Sequence, residues 1–362
     1  MGSKLCFFNS TKTWGGGEKW HLEVAGAMHQ MGHSVILVTN SKSQLHSRAA
    51  ENGIPLYQIS VGNISFLNPW KILKTFFFFR KFQVDTVVMN LPADLKLAGI
   101  AAKLAGVKRI IYRRGSAIPI KSSFLNRFLF GKVVTEIIAN SEETKLTILQ
   151  NNPDLFDIRK IHVLYNGIDL VEYDNRPFDL LYQRQGSEVI IGNAGRLVYQ
   201  KGQDMLLEAA AMLDARGVNF KLLIAGDGKL RQELEQQAIR LNIAHRVLFL
   251  GFVDNIKSFM ESIDIFVLPS RWEGFGYVLA EAMASRKPIV AFNVSSNPEL
   301  VEDGVSGILV DMNETSLFRG ISELANCSEL AQNMGENGIA RVKNKFSFTE
   351  NVKKIMIFLS DS

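Results

Sequence analysis

Short apolar runs alternate with helix-like segments along almost the whole chain, and this alternation restricts the possible folds more than any other feature. In the first half, the strand-like runs are residues 4–10, 34–40, 84–90, 109–113, 135–141 and 160–165. In the second half, they are residues 188–195, 221–226, 247–253, 264–268, 288–292 and 307–310. Apolar strands separated by helices predict parallel sheets covered on both faces. Because 362 residues exceed one ordinary core, we expect two α/β domains.

Charge is distributed unevenly between the two halves. Residues 1–165 contain 21 Lys and Arg against 10 Asp and Glu, a net charge of +11. Residues 166–362 contain 20 against 26, a net charge of −6. A basic half favours phosphate-bearing partners such as nucleic acid, anionic lipid or a phosphorylated acceptor. A solvated basic face without a specific partner stays open as an alternative.

Hydropathy and cysteine content restrict the compartment. The sequence shows no apolar run of transmembrane length and no signal-peptide pattern, so we expect neither feature. Cys6 and Cys327 both stand among apolar residues, which argues against a disulfide framework and for a reducing environment. We therefore expect a cytoplasmic protein.

Residues 264–284 are the most informative stretch of the second half. The apolar run Ile265–Leu268 stops at Pro269, which ends a strand. From Tyr277 to Ala284, apolar residues recur at three- and four-residue spacing, which is typical of a helix. The stretch therefore predicts a strand, a turn and a helix.

The turn in this stretch combines glycines with carboxylates. Gly274 and Gly276 would leave backbone N–H groups bare at the start of the helix, where the dipole favours an anionic or hydroxyl-rich ligand. Glu273 and Glu281 flank that position, and their eight-residue separation spans on the order of 10 Å in a helix. Taken alone, the stretch also fits an ordinary strand, loop and helix with two surface glutamates.

Glycines and cations follow the ends of several other expected strands. Gly15 and Gly16 come after the first strand and open a helix, an arrangement that lets a backbone approach a phosphate or sugar closely. In the second half, Arg196 and Lys201 follow the first strand and Gly226 follows the second. Two cations from one loop can neutralise a diphosphate, one as a planar fork and one as a compact charge.

Four motifs in this order resemble those of a known family. They are Gly15-Gly16-Gly17-Glu18, Asn166-Gly167-Ile168-Asp169, Gly195-Arg196-Leu197 with Lys201-Gly202, and Glu273 with Glu281 as an E-x7-E pair. The chain thereby resembles the retaining nucleotide-sugar glycosyltransferases of the GT-B type, family four, also called glycosyl transferases group 1. That group makes surface polysaccharides, lipopolysaccharides and glycolipids.

The resemblance implies a fold and a domain division. The expected fold is GT-B, with two Rossmann-like doubly wound parallel-sheet domains facing across a cleft. Residues 1–166 would form the acceptor domain, completed by a C-terminal helix at about 346–362. Residues 167–345 would form the nucleotide-sugar donor domain.

The resemblance also implies roles for individual residues. Arg196 and Lys201 would bind the donor diphosphate and stabilise it as leaving group, and Glu273 would hold a hydroxyl of the transferred sugar. The remaining donor-binding residues implied are Gly15, Gly16, Gly226, Gly274, Phe275, Gly276 and Glu281, the last of these through the ribose hydroxyls.

The expected chemistry requires fixed cations. Breaking the bond between the sugar and a nucleoside diphosphate leaves an oxocarbenium-like sugar and a growing negative charge on the phosphate. The sequence contains no Asp-x-Asp motif and no Cys/His spacing for zinc, so we expect no metal and no other cofactor. The resemblance implies retention by same-face attack, in which the departing phosphate oxygen takes the acceptor's proton.

One departure from the family pattern concerns Arg113 and Arg114. Many relatives place a histidine near this position, where it touches the donor sugar. An arginine pair could contact the donor or the acceptor, and it could also be a structural pair that faces nearby acids. Both interpretations stay open.

Two helical patterns in the first half combine aromatic and basic residues. Residues 70–82 contain five phenylalanines and four basic residues, and residues 122–132 contain three and two. For residues 70–82, one interpretation is peripheral contact with the anionic inner face of the cytoplasmic membrane. The other is that the aromatics cover the sheet while the basic side chains reach water. For residues 122–132 we favour the second interpretation.

Three other classes of protein are alternatives to a glycosyltransferase. Another GT-B enzyme, such as a sugar-nucleotide epimerase, usually relies on histidines deep in a cleft, and the six histidines here have no convincing placement. A basic nucleic-acid-binding protein would explain the first half's charge, but no RNP, KH or helix-turn-helix signature accompanies it. A NAD-dependent oxidoreductase is less favoured still, because neither half contains the dinucleotide fingerprint. We expect a nucleotide sugar and a glycan or glycolipid acceptor as partners, and no nucleic acid.

Overall fold

The computed structural model describes residues 3–360, and this part of the chain falls into two compact units. The first unit runs to Asn166 and resumes at Glu350, and the second is Gly167–Thr349. Each unit has its own parallel sheet and its own apolar core. The α/β class with two doubly wound parallel sheets is therefore confirmed.

Seven parallel strands form the sheet of the first unit. They are β1 Lys4–Asn9, β2 Ser34–Thr39, β3 Leu56–Gln58, β4 Thr86–Met89, β5 Arg109–Arg114, β6 Glu136–Ala139 and β7 Ile161–Val163. Their order is β3-β2-β1-β4-β5-β6-β7, so the winding reverses between β1 and β4. Six of the seven were expected. The pattern missed β3 because this edge strand has three residues and its side chains are half-buried or exposed.

The helices of the first unit separate these strands. They are α1 Gly16–Gln30, α2 Gln44–Glu51, α3 Pro69–Phe82, α4 Pro92–Asp94, α5 Ile100–Ala105, α6 Phe124–Phe128 and α7 Glu142–Leu149. Single turns of π-helix, Leu95–Gly99 and Leu129–Val133, extend α4 and α6. The end of the last helix of the chain, Phe348–Ser360, also belongs here, because Arg109 donates to the carbonyls of Phe358 and Leu359 at 2.7 and 3.2 Å.

Six parallel strands form the sheet of the second unit, and all six were expected. They are β8 Val189–Ala194, β9 Phe220–Ala225, β10 Val247–Gly251, β11 Ile265–Leu268, β12 Ile289–Phe292 and β13 Ile308–Val310. Their order is β10-β9-β8-β11-β12-β13, which reverses between β8 and β11. In open parallel sheets, ligands collect at the carboxyl ends of the strands beside such a reversal.

The helices of the second unit alternate with its strands. They are α8 Leu170–Asn175, α9 Gln203–Ala215, α10 Arg231–Arg240, α11 Ile256–Glu261, α12 Tyr277–Ala284, α13 Asn297–Leu300, α14 Glu314–Asn326 and α15 Ser328–Lys345. The helix Phe348–Ser360 follows as α16. The strand, turn and helix predicted for residues 264–284 are confirmed as β11, a turn and α12.

The two ends of the second unit pair with each other. Ile168 forms a parallel bridge with Ser347, because its N–H donates to the Phe346 carbonyl at 2.9 Å and its carbonyl accepts from the Phe348 N–H at 3.0 Å. A Cβ at Gly167 would lie 2.5 Å from the Phe348 Cα. A side chain cannot fit there, which gives the glycine of the Asn-Gly-x-Asp motif a packing reason.

Two expectations about the environment can be compared with the structure. Across residues 3–360, no helix is both long enough and apolar enough to cross a membrane. Both cysteines are free, as expected. Cys6 is buried, but Cys327 is exposed between α14 and α15, so the apolar surroundings expected for it were wrong.

Candidate functional site

The first feature of the site is a polar anchor between the two central strands of the second sheet. Asn193, near the end of β8 and 1% exposed, donates through Nδ2 to the Val267 carbonyl of β11 at 2.9 Å. Gln203, at the start of α9, donates to the Asn193 side chain and to the Arg196 carbonyl, both at 3.3 Å. These bonds fix the position at which the loop after β8 leaves the sheet.

The structure brings Lys201 and Glu273 together. Lys201 Nζ lies 2.5 Å from Glu273 Oε1, and the two side chains are 14% and 8% exposed. Gly202 has φ +66, and a Cβ there would lie 2.0 Å from the Pro269 carbonyl oxygen. The loop after β8 is therefore pressed against the turn after β11, and only glycine fits at the contact.

Arg196 belongs to the same loop but has a different environment. Its side chain is exposed, and within residues 3–360 it has no hydrogen bond or ion pair. The two cations expected to act together are therefore in different states. Lys201 is held by a carboxylate, whereas the Arg196 guanidinium is open to an anionic ligand.

The turn between β11 and α12 presents backbone rather than side chains. The Phe275 ring is 2% exposed and packs between Tyr277 and Phe346, with ring centroids 5.4 and 5.6 Å apart. Gly276 has φ +73 and caps α12 without a side-chain hydrogen bond. Gly274 is buried and Glu281 is half-buried within α12. This packing fixes the direction in which the helix begins.

Gly226 has a packing constraint of its own after β9. Its φ is +131, and a Cβ would lie 1.9 Å from the Gly195 carbonyl oxygen. Its N–H donates to the Gly251 carbonyl at 2.6 Å. The glycine therefore lets the loops after β8, β9 and β10 approach one another.

The first unit carries a separate polar cluster at the end of β1. Asn9 donates to Glu18 at 3.1 Å, and Ser10 donates to Asp94 through its N–H at 3.0 Å and its hydroxyl at 2.5 Å. Asp94 is fully buried, and burial raises the pKa of its carboxyl to about 7. Gly15 caps α1 and Gly16 is its first residue. The cluster anchors one end of the glycine loop.

The arginine pair of β5 is divided by its surroundings. Arg113 is 2% exposed, donates to Asn90 at 3.0 Å and Asn166 at 2.9 Å, and stacks 4.5 Å above the Trp20 ring. Arg114 is half-buried and donates to the Ile118 carbonyl at 2.8 Å. The Arg113 guanidinium thus has internal partners of the kind expected for a structural residue.

Sequence reasoning missed two residues near these features. Asp94 stands 84 positions from its partner Ser10, and no motif marks it. Arg271 lies in the turn between β11 and α12, but its carboxylate partner Asp204 is 67 positions away. A single sequence cannot reveal such distant pairs. Within residues 3–360, His, Cys, Asp and Glu form no group of three suited to a metal ion.

Two doubly wound parallel-sheet units are the architecture of the GT-B fold. The chain superimposes on the Anabaena protein HepE, solved in complex with UDP and glucose, with a TM-score of 0.85. The match covers 99% of this chain and 100% of that chain at 22% sequence identity, so the similarity concerns the fold.

Family models identify both halves of the chain. Residues 14–172 match Glycosyltransferase Family 4, and residues 182–341 match Glycosyl transferases group 1. The chain is 34% identical over 264 residues to an uncharacterized glycosyltransferase of Methanocaldococcus jannaschii, covering 70% of each protein. The chain therefore belongs to the group 1 glycosyltransferases, as its motifs predicted.

A further relative has a named reaction. The chain is 26% identical over 312 residues to the UDP-Gal:alpha-D-GlcNAc-diphosphoundecaprenol alpha-1,3-galactosyltransferase of Escherichia coli. The match covers 81% of this chain and 80% of that protein. These relationships favour a glycosyltransferase over the epimerase and nucleic-acid-binding alternatives.

Proposed function

We propose that this glycosyltransferase moves a hexose-type sugar from a nucleoside-diphosphate sugar to a hydroxyl of a lipid-linked, lipopolysaccharide or polysaccharide acceptor. The observation that carries the proposal is the Lys201–Glu273 pair beside the exposed Arg196, at the carboxyl edge of the second sheet. Two comparisons support it: one relative is named for a UDP-galactose donor and a lipid-linked acceptor, and one fold neighbour was solved with UDP.

The donor diphosphate would bind to the loop after β8. Arg196 would form paired hydrogen bonds with phosphate oxygens, and Lys201 would add a compact charge that stabilises the leaving group. Glu273 would orient Lys201 and accept a hydrogen bond from a hydroxyl of the transferred sugar. Glu281 would accept hydrogen bonds from the ribose.

Backbone groups would complete the donor site. The N–H groups at the start of α12 would donate to the sugar and phosphate, because a helix N-terminus favours negative charge. The backbone positions proposed for the donor are Gly15, Gly16, Gly226, Gly274, Phe275 and Gly276. Of the arginine pair, we retain only Arg114 as a candidate for acceptor or sugar contact, since Arg113 already has internal partners.

We further propose retention of the anomeric configuration without a metal. The departing phosphate oxygen would take the proton of the acceptor hydroxyl, and the acceptor oxygen would attack the face from which the phosphate leaves. Proton NMR of the transfer product should show the anomeric coupling of the donor. An inverted coupling would refute retention, and loss of transfer in EDTA restored by a divalent ion would refute metal independence.

A membrane-facing surface is proposed on α3, where the protein would meet the cytoplasmic face of an anionic membrane. Trp70, Leu73 and Phe77 lie at helical spacing and are 78%, 45% and 62% exposed. No acidic residue occurs between Glu51 and Asp85, whereas four basic residues lie on α3. Exposed aromatics beside basic side chains fit the interface of an anionic bilayer.

The rest of the aromatic pattern divides between core and surface. Phe78 and Phe79 of α3 are 3% and 2% exposed and cover the sheet. In the second segment, Phe130 is buried, as favoured, but Phe124 is 91% exposed. The aromatic residues of the two segments therefore divide between those that cover the sheet and those that are exposed to solvent.

Flotation with vesicles of phosphatidylglycerol and phosphatidylcholine tests the membrane surface. Replacing Trp70, Leu73 and Phe77 with serine should abolish flotation while the protein stays folded. Ile239→Ser is the matched control, because Ile239 is 67% exposed on the second unit. Equal flotation of the triple variant and the control would rule out this surface.

A thermal-shift screen of nucleotide sugars tests the proposed activity. A bound donor raises the melting temperature because it binds the folded state alone. We expect one nucleotide sugar to raise it and to be consumed when a glycan or lipid-linked acceptor is added. If no nucleotide sugar shifts the melting temperature, or if the donor is only isomerised, the proposal fails.

A further inference from the structure

We infer that Arg271 is a positioning residue for the donor site. It holds the loop that carries Lys201 against the turn that carries Glu273, and so sets the distance between these two side chains. The inference rests on the proposed function, because it assigns Arg271 a task in the same site.

The Arg271 side chain forms hydrogen bonds with residues on both sides of Lys201. Its Nη1 and Nη2 donate to the two carboxylate oxygens of Asp204 at 3.0 and 2.6 Å. Nη1 also donates to the Tyr199 carbonyl at 2.6 Å. The Arg271 side chain is 14% exposed and that of Asp204 is 42% exposed, so the ion pair is partly buried. Lys201 lies between Tyr199 and Asp204 in the chain, so the bonds from the guanidinium restrict its movement on both sides.

The backbone around Arg271 adds further contacts to the same loop. The Arg271 N–H donates to the Gln200 carbonyl at 2.8 Å, and Gln200 Nε2 donates to the Trp272 carbonyl at 2.8 Å. The guanidinium also lies 4.0 Å above the Tyr199 ring, which is 61% exposed. Residues 199 and 200 of the loop are thus bonded to residues 271 and 272 of the turn. Glu273 follows directly after these two residues of the turn.

The planar guanidinium is needed for this arrangement. A fork-shaped donor set can hold both oxygens of a carboxylate and a carbonyl at once, while it stacks on an aromatic ring. A lysine ammonium cannot reproduce that geometry. Displacement of a catalytic group by about 1 Å can reduce a rate by about 100-fold, so loss of the guanidinium should reach the chemistry through Lys201.

Donor titration and steady-state kinetics of Arg271→Ala test the inference, using the nucleotide sugar found in the thermal-shift screen. The matched control is Arg341→Ala, because Arg341 also makes three side-chain bonds in the second unit, to the Leu300 and Glu299 carbonyls and to Glu302. We expect Arg271→Ala to lower kcat/KM about 10- to 100-fold, with kcat falling as well as donor affinity. Arg341→Ala should stay within about twofold of the wild type.

Two further variants separate positioning from stability. Arg271→Lys should recover the melting temperature better than kcat, because it keeps the charge but not the fork. If Arg271→Ala does not fold, Asp204→Asn removes the carboxylate charge that Arg271 binds and should still lower kcat. If the wild type binds the donor and Arg271→Ala and Arg341→Ala have equal kinetics, the inference is overturned. A wild type that binds no nucleotide sugar would instead overturn the proposed function.

Discussion

Lys201 and Glu273 form an ion pair with 2.5 Å between Nζ and Oε1, although they stand 72 positions apart in the chain. Both side chains are largely withdrawn from water. The proposed diphosphate cation is therefore already neutralised by a carboxylate of the same site. A bound diphosphate would share Lys201 with Glu273 or displace Glu273 from it. Donor binding and the orientation of Lys201 are therefore expected to be coupled.

Removing one partner of this pair should cost stability as well as activity. Lys201→Met leaves the Glu273 carboxylate buried without its cation, so we expect the free energy of unfolding to fall by about 3 kcal/mol. The double variant Lys201→Met with Glu273→Gln should recover most of that loss without recovering transfer. Urea unfolding and a transfer assay measure the two effects. If the double variant is as unstable as the single variant, the loss of stability does not come from the unpaired Glu273 carboxylate.

Glu281→Gln should weaken donor binding without unfolding the protein. The carboxylate is proposed to accept two ribose hydrogen bonds, and an amide retains only one acceptor oxygen. A loss of about 10-fold in donor affinity is expected, since hydrogen bonds to charged groups contribute about 1.5–3 kcal/mol. Calorimetric titration measures the affinity. Unchanged affinity would remove Glu281 from the site.

Gly226→Ala should be far more damaging than another glycine replacement in the same unit. A methyl group at Gly226 would overlap the Gly195 carbonyl, so we expect a loss of about 3 kcal/mol or more. Gly217 also has positive φ, +72, but open space around it, and Gly217→Ala should cost about 1–2 kcal/mol. Chemical unfolding of both variants measures the difference. Equal losses would show that the loops adapt.

Asp94 predicts a pH dependence of stability. Burial raises the pKa of its carboxyl from 3.8 to about 7, so the folded protein binds more protons than the unfolded chain between these values. The free energy of unfolding should therefore fall as pH rises from 5 to 8, by on the order of 2 kcal/mol from this group. Asp94→Asn should show a shallower decline, because its amide oxygen can accept from the Ser10 N–H while its NH2 group donates to the Ser10 hydroxyl oxygen. Identical pH slopes in urea unfolding would contradict this.

Most of the fold could be predicted because apolar strands buried on both faces leave a strong pattern in the sequence. The exception, β3, is an edge strand too short and too exposed to show that pattern. The glycines at 202 and 226 also stand out in the sequence, since Gly226 directly follows β9 and Gly202 directly precedes α9. Their reasons, close contacts with Pro269 and Gly195, needed coordinates.

Ion pairs between residues far apart in the chain could not be predicted from the sequence. Nothing in the chain links Lys201 to Glu273 rather than to a ligand alone, or marks Arg271 as the partner of Asp204. The arginine pair shows the same limit, because adjacent residues of one strand point to opposite faces. Arg113 is therefore buried against Trp20 while Arg114 is half-buried.

Titration of the donor into Arg196→Ala tests the central claim most directly. Arg196 is exposed and has no ion pair within the described residues, so its removal should leave the fold and the melting temperature unchanged. Arg240→Ala, at an exposed position of α10, is the control for a lost surface charge. We predict that Arg196→Ala weakens binding of the nucleotide sugar at least about 10-fold, while Arg240→Ala binds like the wild type. Equal affinities for all three proteins would contradict a diphosphate site in the loop after β8.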